Sequence, residues 1–174
     1  MPSGRTHDGL TWGATFPLAF GIGWYGDGWI PAAIFGAGFL FGGLMFGPDL
    51  DLPSVQVRRW GPLQFIWKPY QRMFRHRSRW THGILVGPLV RILYLAACLA
   101  VVAAGFGAIA VALGLAVPRW EQVLEEVWRR GQEIERIWLI YGLAGIWGGA
   151  ALHTLADEIV SKAKRLLRFG KPRR

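Results

Sequence analysis

The chain has 174 residues, 52% of them hydrophobic, and it contains 24 Gly and 10 Trp. This length suits one domain, and such a composition is unusual for a soluble one. The net charge of +9 could suggest a nucleic-acid partner. A nucleic-acid groove, however, needs aromatics that stack on bases beside its cations. Most aromatics of this chain belong to apolar runs, which excludes nucleic acid as the partner. The single cysteine, Cys98, also lies in an apolar run, which excludes a disulfide framework and a cysteine-based zinc site.

Four apolar runs predict four membrane-spanning helices. The third run contains 26 consecutive residues, 92–117, without a charge or a Ser, Thr, Asn or Gln, which is more than the roughly 20 apolar residues that cross a bilayer. The spans are predicted at about 10–25, 29–46, 83–117 and 137–157. The predicted fold class is therefore all-α: residues 1–174 form a single membrane-embedded domain, a bundle of four transmembrane helices.

Glycines four residues apart allow helices to approach closely in lipid. The chain has four such pairs: Gly9/Gly13, Gly38/Gly42, Gly43/Gly47 and Gly145/Gly149.

Two further segments are predicted to lie in the membrane interface. Residues 54–80 alternate cations with aromatic and aliphatic residues, the pattern of a helix among headgroups, although an ordinary amphipathic connector would also show it. Residues 118–136 set apolar residues at helical spacing against glutamates, which predicts an amphipathic helix outside the bilayer core. The tail, 160–174, is basic. Membrane lipids are the expected partners, with anionic headgroups on segment 54–80 and on the tail.

Counting the spans brings seven potential metal ligands to one face of the membrane. They are His7 before the first span, Asp49 and Asp51 after the second, His76 and His82 before the third, and His153 and Asp157 at the end of the fourth. Of the 20 Lys and Arg, 15 lie on this side, four lie on the other side and Arg91 lies within the third span. Because positive charge is retained in the cytoplasm, both termini and the site are predicted to be cytoplasmic.

The spacing of these residues favours ligation. Asp49 and Asp51 flank one residue in the rigid turn GPDLDLP, which could aim both carboxylates at one or two cations, although Asp is also a common turn former. His153 and Asp157 are four apart on a predicted helix and share a face, as two ligands or as a hydrogen-bonded pair.

The remaining histidines carry weaker signals. His76 and His82 are six apart, so they reach one site only if residues 77–81 turn, with Thr81 as a cap for the third span. His7 is either a ligand or an interfacial histidine. The candidate catalytic residues are their neighbours: Asp8 beside His7, and Arg77 beside His76, where it could clamp a substrate phosphate or simply form part of a solvated basic face.

Four segments also carry a family resemblance: MPSGRTHD, GPDLDLPS followed by RRWGPLQFIWKPY, HRSRWTHG and LHTLAD. In this order the chain resembles the YdjM-like predicted membrane-bound metal-dependent hydrolases, and more closely their branch of uncharacterised metal-binding proteins. The resemblance covers nearly the whole chain and implies that the seven residues above occupy the family's ligand positions. The segment HRSRWTH differs from the broader pattern HRGxTH, whose histidines are five apart. The resemblance implies metal binding more than turnover.

The leading hypothesis is a metal-dependent hydrolase that acts on an ester or phosphoester at the cytoplasmic membrane surface, with one or two divalent ions. Histidine and carboxylate ligands suit Zn, Mn or Fe, and Zn is the first expectation. The alternative is a non-catalytic membrane protein with a structural metal site and a basic face that binds lipid or a partner. An open coordination position would favour the enzyme, and a filled one the structural role. The substrate is not set by the sequence, and homo-oligomerisation stays open.

Overall fold

The structure, a computed structural model, describes residues 4–76, 78–115 and 119–169, with side chains described through residue 163. The described residues form helices and no strand, which confirms the all-α prediction. The α-helices are α1 Gly4–Tyr25, α2 Trp29–Leu44, α3 Val55–Arg58, α4 Trp67–Met73, α5 Arg79–His82, α6 Val86–Ala112, α7 Trp120–Glu133 and α8 Arg136–Phe169. Two 3₁₀ helices, Pro48–Asp51 and Gly61–Ile66, join α2 to α3 and α3 to α4.

Within the described part of the chain, three segments are long and apolar enough to cross a membrane: Trp29–Asp51, Val86–Ala112 and Arg136–Ala163. The first predicted span also forms a helix, α1, but it is not among them. Its sequence is less apolar, with Arg5, His7 and Asp8 in the first two turns, and it has a polar face that buries His7, Thr11 and Thr15. The two threonine hydroxyls donate to the backbone carbonyls of His7 and Thr11, four residues earlier.

Helices α2 and α8 run parallel and pack backbone to backbone. A methyl group on Gly42 would lie 2.1 Å from the carbonyl oxygen of Ile146, and one on Gly149 would lie 2.1 Å from that of Phe39. Gly38 and Gly145 face the partner helix in the same way, so the prediction of close approach is confirmed for these two pairs.

The other two glycine pairs behave differently. Gly43 faces Thr11 of the antiparallel helix α1, and Gly47 faces Gln56. Gly9 and Gly13 have nothing within 4 Å, so a close helix contact there was the wrong expectation for the described chain.

Segment 54–80 is not the single interfacial helix that its pattern predicted. It contains α3, a 3₁₀ helix and α4, broken where Gly61 takes a positive φ of 54° and Pro62 follows. Trp67 and Tyr70 are fully buried and form a small core with Phe46, Leu50 and Val57. These two aromatics therefore pack against protein, because they close a loop over the end of α2.

The second half of the chain is more open. Helix α6 begins at Val86 and ends at Ala112, inside the predicted limits. None of the residues in its most apolar stretch of 18 is buried. Helix α7 lies within the predicted segment 118–136 and confirms a helix there. Helix α8 continues past the predicted end of its span to Phe169, so the start of the basic tail is helical. Residues 170–174 of the tail lie outside the described residues.

Candidate metal centre

The structure brings together the seven side chains that span counting placed on one face. His7 lies in the first turn of α1, Asp49 and Asp51 lie in the 3₁₀ helix that follows α2, and His153 and Asp157 lie one turn apart on α8. His76 lies in the loop before α5, and His82 is the last residue of α5. The parallel course of α2 and α8 and the antiparallel course of α1 carry these residues to the same end of the bundle.

Three of the residues, His7, His153 and Asp157, form an inner group whose ligand atoms all lie within 4.8 Å of one another. Nε2 of His7 is 3.3 Å from Oδ1 of Asp157. The rings of His7 and His153 stack with centroids 3.7 Å apart and planes 8° from parallel. All three residues are buried. The inner group thus joins the first helix of the chain to the last.

An outer group consists of Asp49, His76 and His82, whose ligand atoms also lie within 4.8 Å of one another. Nε2 of His82 is 4.0 Å from Oδ1 of Asp49. Asp51 supports both histidines: its Oδ1 is 3.0 Å from Nδ1 of His76, and its Oδ2 is 3.6 Å from Nδ1 of His82. The side chains of His76 and Asp49 are 28% and 21% exposed, whereas that of Asp51 is fully buried. The outer group is therefore open on one side.

Asp49 connects the two groups. Its Oδ1 faces His82, and its Oδ2 is 3.4 Å from Nε2 of His153 in the inner group. Asp49 could therefore provide an oxygen ligand to a cation held by either group.

Unpaired polar atoms test whether these residues fit a metal. Buried nitrogen and oxygen atoms normally have a hydrogen-bond partner. In the part of the chain that the structure describes, the buried atoms without one include His7 Nδ1, Asp49 Oδ1, Asp51 Oδ2, His82 Nε2, His153 Nε2 and both carboxylate oxygens of Asp157. Leaving such groups unpaired costs about 1–3 kcal/mol each, and more when they are charged. A cation would satisfy them.

Distance and protonation also fit. Two ligand atoms about 2.1 Å from a tetrahedral ion lie about 3.4 Å apart. Histidine nitrogens lie 3.3 Å and 3.4 Å from carboxylate oxygens in the inner group and at Asp49. Burial lowers the pKa of His7 and of His82 below the ordinary value of 6.5. Both imidazoles are then neutral at pH 7, the form that binds a metal. Nitrogen and oxygen donors of this kind suit Zn, Mn or Fe.

The loop before α6 turns sharply enough for His76 and His82 to meet. Their rings are 5.0 Å apart and almost perpendicular, at 83°. The turn depends on Ser78, whose carbonyl accepts a hydrogen bond from the backbone of His82 at 2.9 Å. The position of Thr81 predicted that it caps α6, but the N-cap residue of α6 is Leu85. Thr81 lies within α5, and its hydroxyl contacts Nδ1 of His82 at 3.0 Å.

Asp8, one of the two predicted catalytic residues, is not part of this arrangement. The carboxylate of Asp8 accepts a hydrogen bond of 3.0 Å from Arg59, whose guanidinium also donates to the carbonyl of Leu44 at 2.7 Å. Asp8 thereby ties α1 to the end of α2, and its catalytic role stays a prediction. Arg77 lies outside the described residues.

Two supporting residues escaped the sequence analysis. The side-chain amide nitrogen of Gln56 donates to the carbonyl of Gly43 at 2.9 Å and lies 3.3 Å from Nδ1 of His153. No pattern marks Gln56, since a glutamine in a polar loop is ordinary. Arg91 is 1% exposed and donates to the carbonyl of Thr81 at 2.8 Å, next to His82. A lone arginine in an apolar span was the signal that could have identified it.

By fold and site, this is an all-helical protein with membrane-length helices and two groups of candidate metal ligands at one end of its bundle. Residues 2–167 match the family described as uncharacterized metal-binding protein (DUF2227), and the chain belongs to this family. The comparisons with curated proteins and with solved structures gave no match. The family confirms metal binding as the general class, while the narrower resemblance to the YdjM-like hydrolases stays a prediction.

Proposed function

We propose that this protein is an integral membrane, metal-dependent hydrolase whose centre holds two divalent cations, one in each group, with Zn²⁺ as the first candidate. The observation that carries the proposal is the position of Asp49 between the inner and outer groups, with buried atoms of both groups left without hydrogen-bond partners. When bound, such cations polarise an ester or phosphoester and lower the pKa of water.

The residues around the outer group form a pocket in which a substrate could bind next to a cation. A pocket of about 520 Å³ opens beside His82 and is lined by Ser78, Arg79, Gly83, Ile84, Leu85, Val86, Thr154 and Glu158. Arg79 is exposed there and could hold an anionic group, while Leu85, 71% exposed, could contact an apolar one. Arg77 is the proposed phosphate clamp because it adjoins His76. An ester or phosphoester with both polar and apolar parts fits this lining.

The location in a membrane is part of the proposal. At about 1.5 Å per residue, the site lies about 27 Å from the far end of α1, about 24 Å from that of α2, and about 26 Å from the start of α8. These lengths approach the roughly 30 Å of a hydrocarbon core, which supports a centre near one interface. We therefore propose four spans, with residues 10–25 of α1 as the first, and both termini in the cytoplasm.

Cysteine labelling tests this topology. In a Cys98→Ala background, an impermeant thiol reagent applied from the periplasmic side should label cysteines at Gly28 and Gln132 and leave those at Ser3 and Ser161 unlabelled. Labelling at Ser3 or Ser161 would contradict the cytoplasmic assignment of the termini.

Metal content and turnover test the function. Detergent-purified protein should bind two equivalents of Zn²⁺, and Asp51→Asn and His82→Ala should each lower the content, because lost ligands remove binding free energy. Metal-loaded protein in liposomes is then screened against phosphoesters and carboxyl esters, with Asp51→Asn as the control. Equal metal content in all three proteins would exclude these ligands, and no turnover above the control would argue against the hydrolase.

A structural metal site is the alternative, and one observation favours it. The inner group is closed: His7, His153 and Asp157 are 6%, 4% and 6% exposed. A cation enclosed in this way resembles a structural site more than a catalytic one, which keeps an open position.

A further inference from the structure

We propose that the two groups divide these roles: the inner group holds a slowly exchanging cation that clamps α1 to α8, and the outer group holds an exchangeable cation at the pocket. This inference rests on the proposed metal centre and concerns what each half of it does. It explains why one end of the bundle contains both a closed and an open ligand group.

Burial separates the two groups. Each inner residue is below 7% exposed. In the outer group the side chains of Asp49, His76 and His82 are 21%, 28% and 12% exposed, and His82 borders the pocket. Water or a chelator can therefore approach the outer group directly, whereas the inner group must open first.

The supporting elements also differ. The inner ligands come from helices of 22 and 34 residues, and His7 is stacked on His153. Release of a cation from them requires His7 to leave its stack on His153 and the buried first turn of α1 to separate from α8. The outer ligands come from a 3₁₀ helix of four residues, from a loop and from the four-residue helix α5. Short elements of this kind open locally at low free energy.

Contacts around α1 point to a clamp. Helix α1 packs along α2 through Thr11, Thr15 and Gly43. His7 joins the N-terminal turn of α1 to α8 through its contacts with Asp157 and His153. Neither Nδ1 of His7 nor either carboxylate oxygen of Asp157 has a hydrogen-bond partner among the described residues. A cation shared by these residues would link the two ends of the chain.

Chelation kinetics test the division without any activity assay. The full chain in detergent is loaded with Zn²⁺, freed of excess metal and challenged with EDTA, and the zinc retained is measured over time. The wild type should lose one equivalent quickly and the other more than about tenfold more slowly, because the second release waits for helix separation. Loss of both equivalents at one rate would overturn the division.

Two variants assign the phases. His76→Ala removes a partly exposed outer ligand and should abolish the fast phase while keeping the slow one. His7→Ala, with Asp157→Asn as a milder second variant, should abolish the slow phase and lower the melting temperature of the zinc-loaded protein. A slow phase that survives in Asp157→Asn and disappears in His76→Ala would overturn the assignment. Wild-type protein that binds no zinc would instead refute the proposed function itself, so the two failures are distinguishable.

Discussion

Replacement of Gly149 by Ala should show how strongly the centre depends on the contact between α2 and α8. The added methyl group would lie 2.1 Å from the carbonyl oxygen of Phe39 and 2.7 Å from the backbone nitrogen of Gly43. Both neighbours are backbone atoms, so no side chain can move aside. To reach an ordinary contact of 3.4 Å, the helices must separate locally by about 1.3 Å.

The cost and its consequence follow from this separation. Overpacking of a tight interface costs about 1–3 kcal/mol, which for a chain of this size lowers the melting temperature by roughly 2–12 °C. Gly149 lies one turn before His153, whose Nε2 is 3.4 Å from Asp49 at the end of α2. Ligand distances in metal sites tolerate only about 0.2 Å. Gly149→Ala should therefore lose metal as well as stability.

A matched variant controls for the substitution itself. Gly105 lies in α6 and has nothing within 4 Å of an added methyl group. Alanine there should leave the protein unchanged or stabilise it by about 0.5–1 kcal/mol, since glycine is unfavourable inside a helix. Melting temperature and zinc content are measured for both variants in the same detergent. Equal values for Gly149→Ala and Gly105→Ala would refute the argument that this helix contact sets the geometry of the centre.

Further outcomes follow from single contacts. The pKa values of His7 and His82 in the folded protein lie below the unfolded value of 6.5, so the unfolded chain binds more protons. The metal-free protein should therefore lose stability as the pH falls below about 6.5. Denaturation at several pH values would show this loss. Gln56→Leu should weaken zinc binding about 10–100-fold, because Gln56 contacts a site histidine. Gln132→Leu should not, because α7 contributes no ligand to either group in the described chain. Arg91→Met, measured by zinc titration, should weaken binding about tenfold, since the loop beside His82 loses its anchor.

Counting apolar runs anticipated that the seven side chains converge at one end of the bundle. Each run reverses the direction of the chain, so the start of α1, the end of α2, the start of α6 and the end of the fourth span were expected together, although α1 is not among the helices apolar enough to span a membrane. The same reasoning needed residues 83–117 to be one span, and α6 is one continuous helix within that range.

Several features of the fold depend on contacts between residues far apart in the chain, and the sequence pattern does not predict them. Trp67 and Tyr70 follow an interfacial pattern, yet they are fully buried because the loop after α2 folds back over Phe46 and Leu50. The pairing of Asp8 with Arg59 crosses 51 residues, and no local spacing predicts it. The split into inner and outer groups also has no sequence signal, since it depends on which residues the loop before α6 leaves exposed.

The charge balance of the centre links its metal to folding. In the described chain, the ion pairs of Asp49, Asp51 and Asp157 are all made with histidines, and of these His7 and His82 have a lowered pKa that keeps them neutral at pH 7. The negative charges of these three carboxylates are then not fully balanced by positive charges on their histidine partners. Burying an unbalanced charge is costly. Divalent cations would remove that cost only in the folded state, so binding must stabilise the fold by mass action. The melting temperature should therefore rise with the concentration of free zinc, and it should rise less in Asp157→Asn, where one of the three charges is gone.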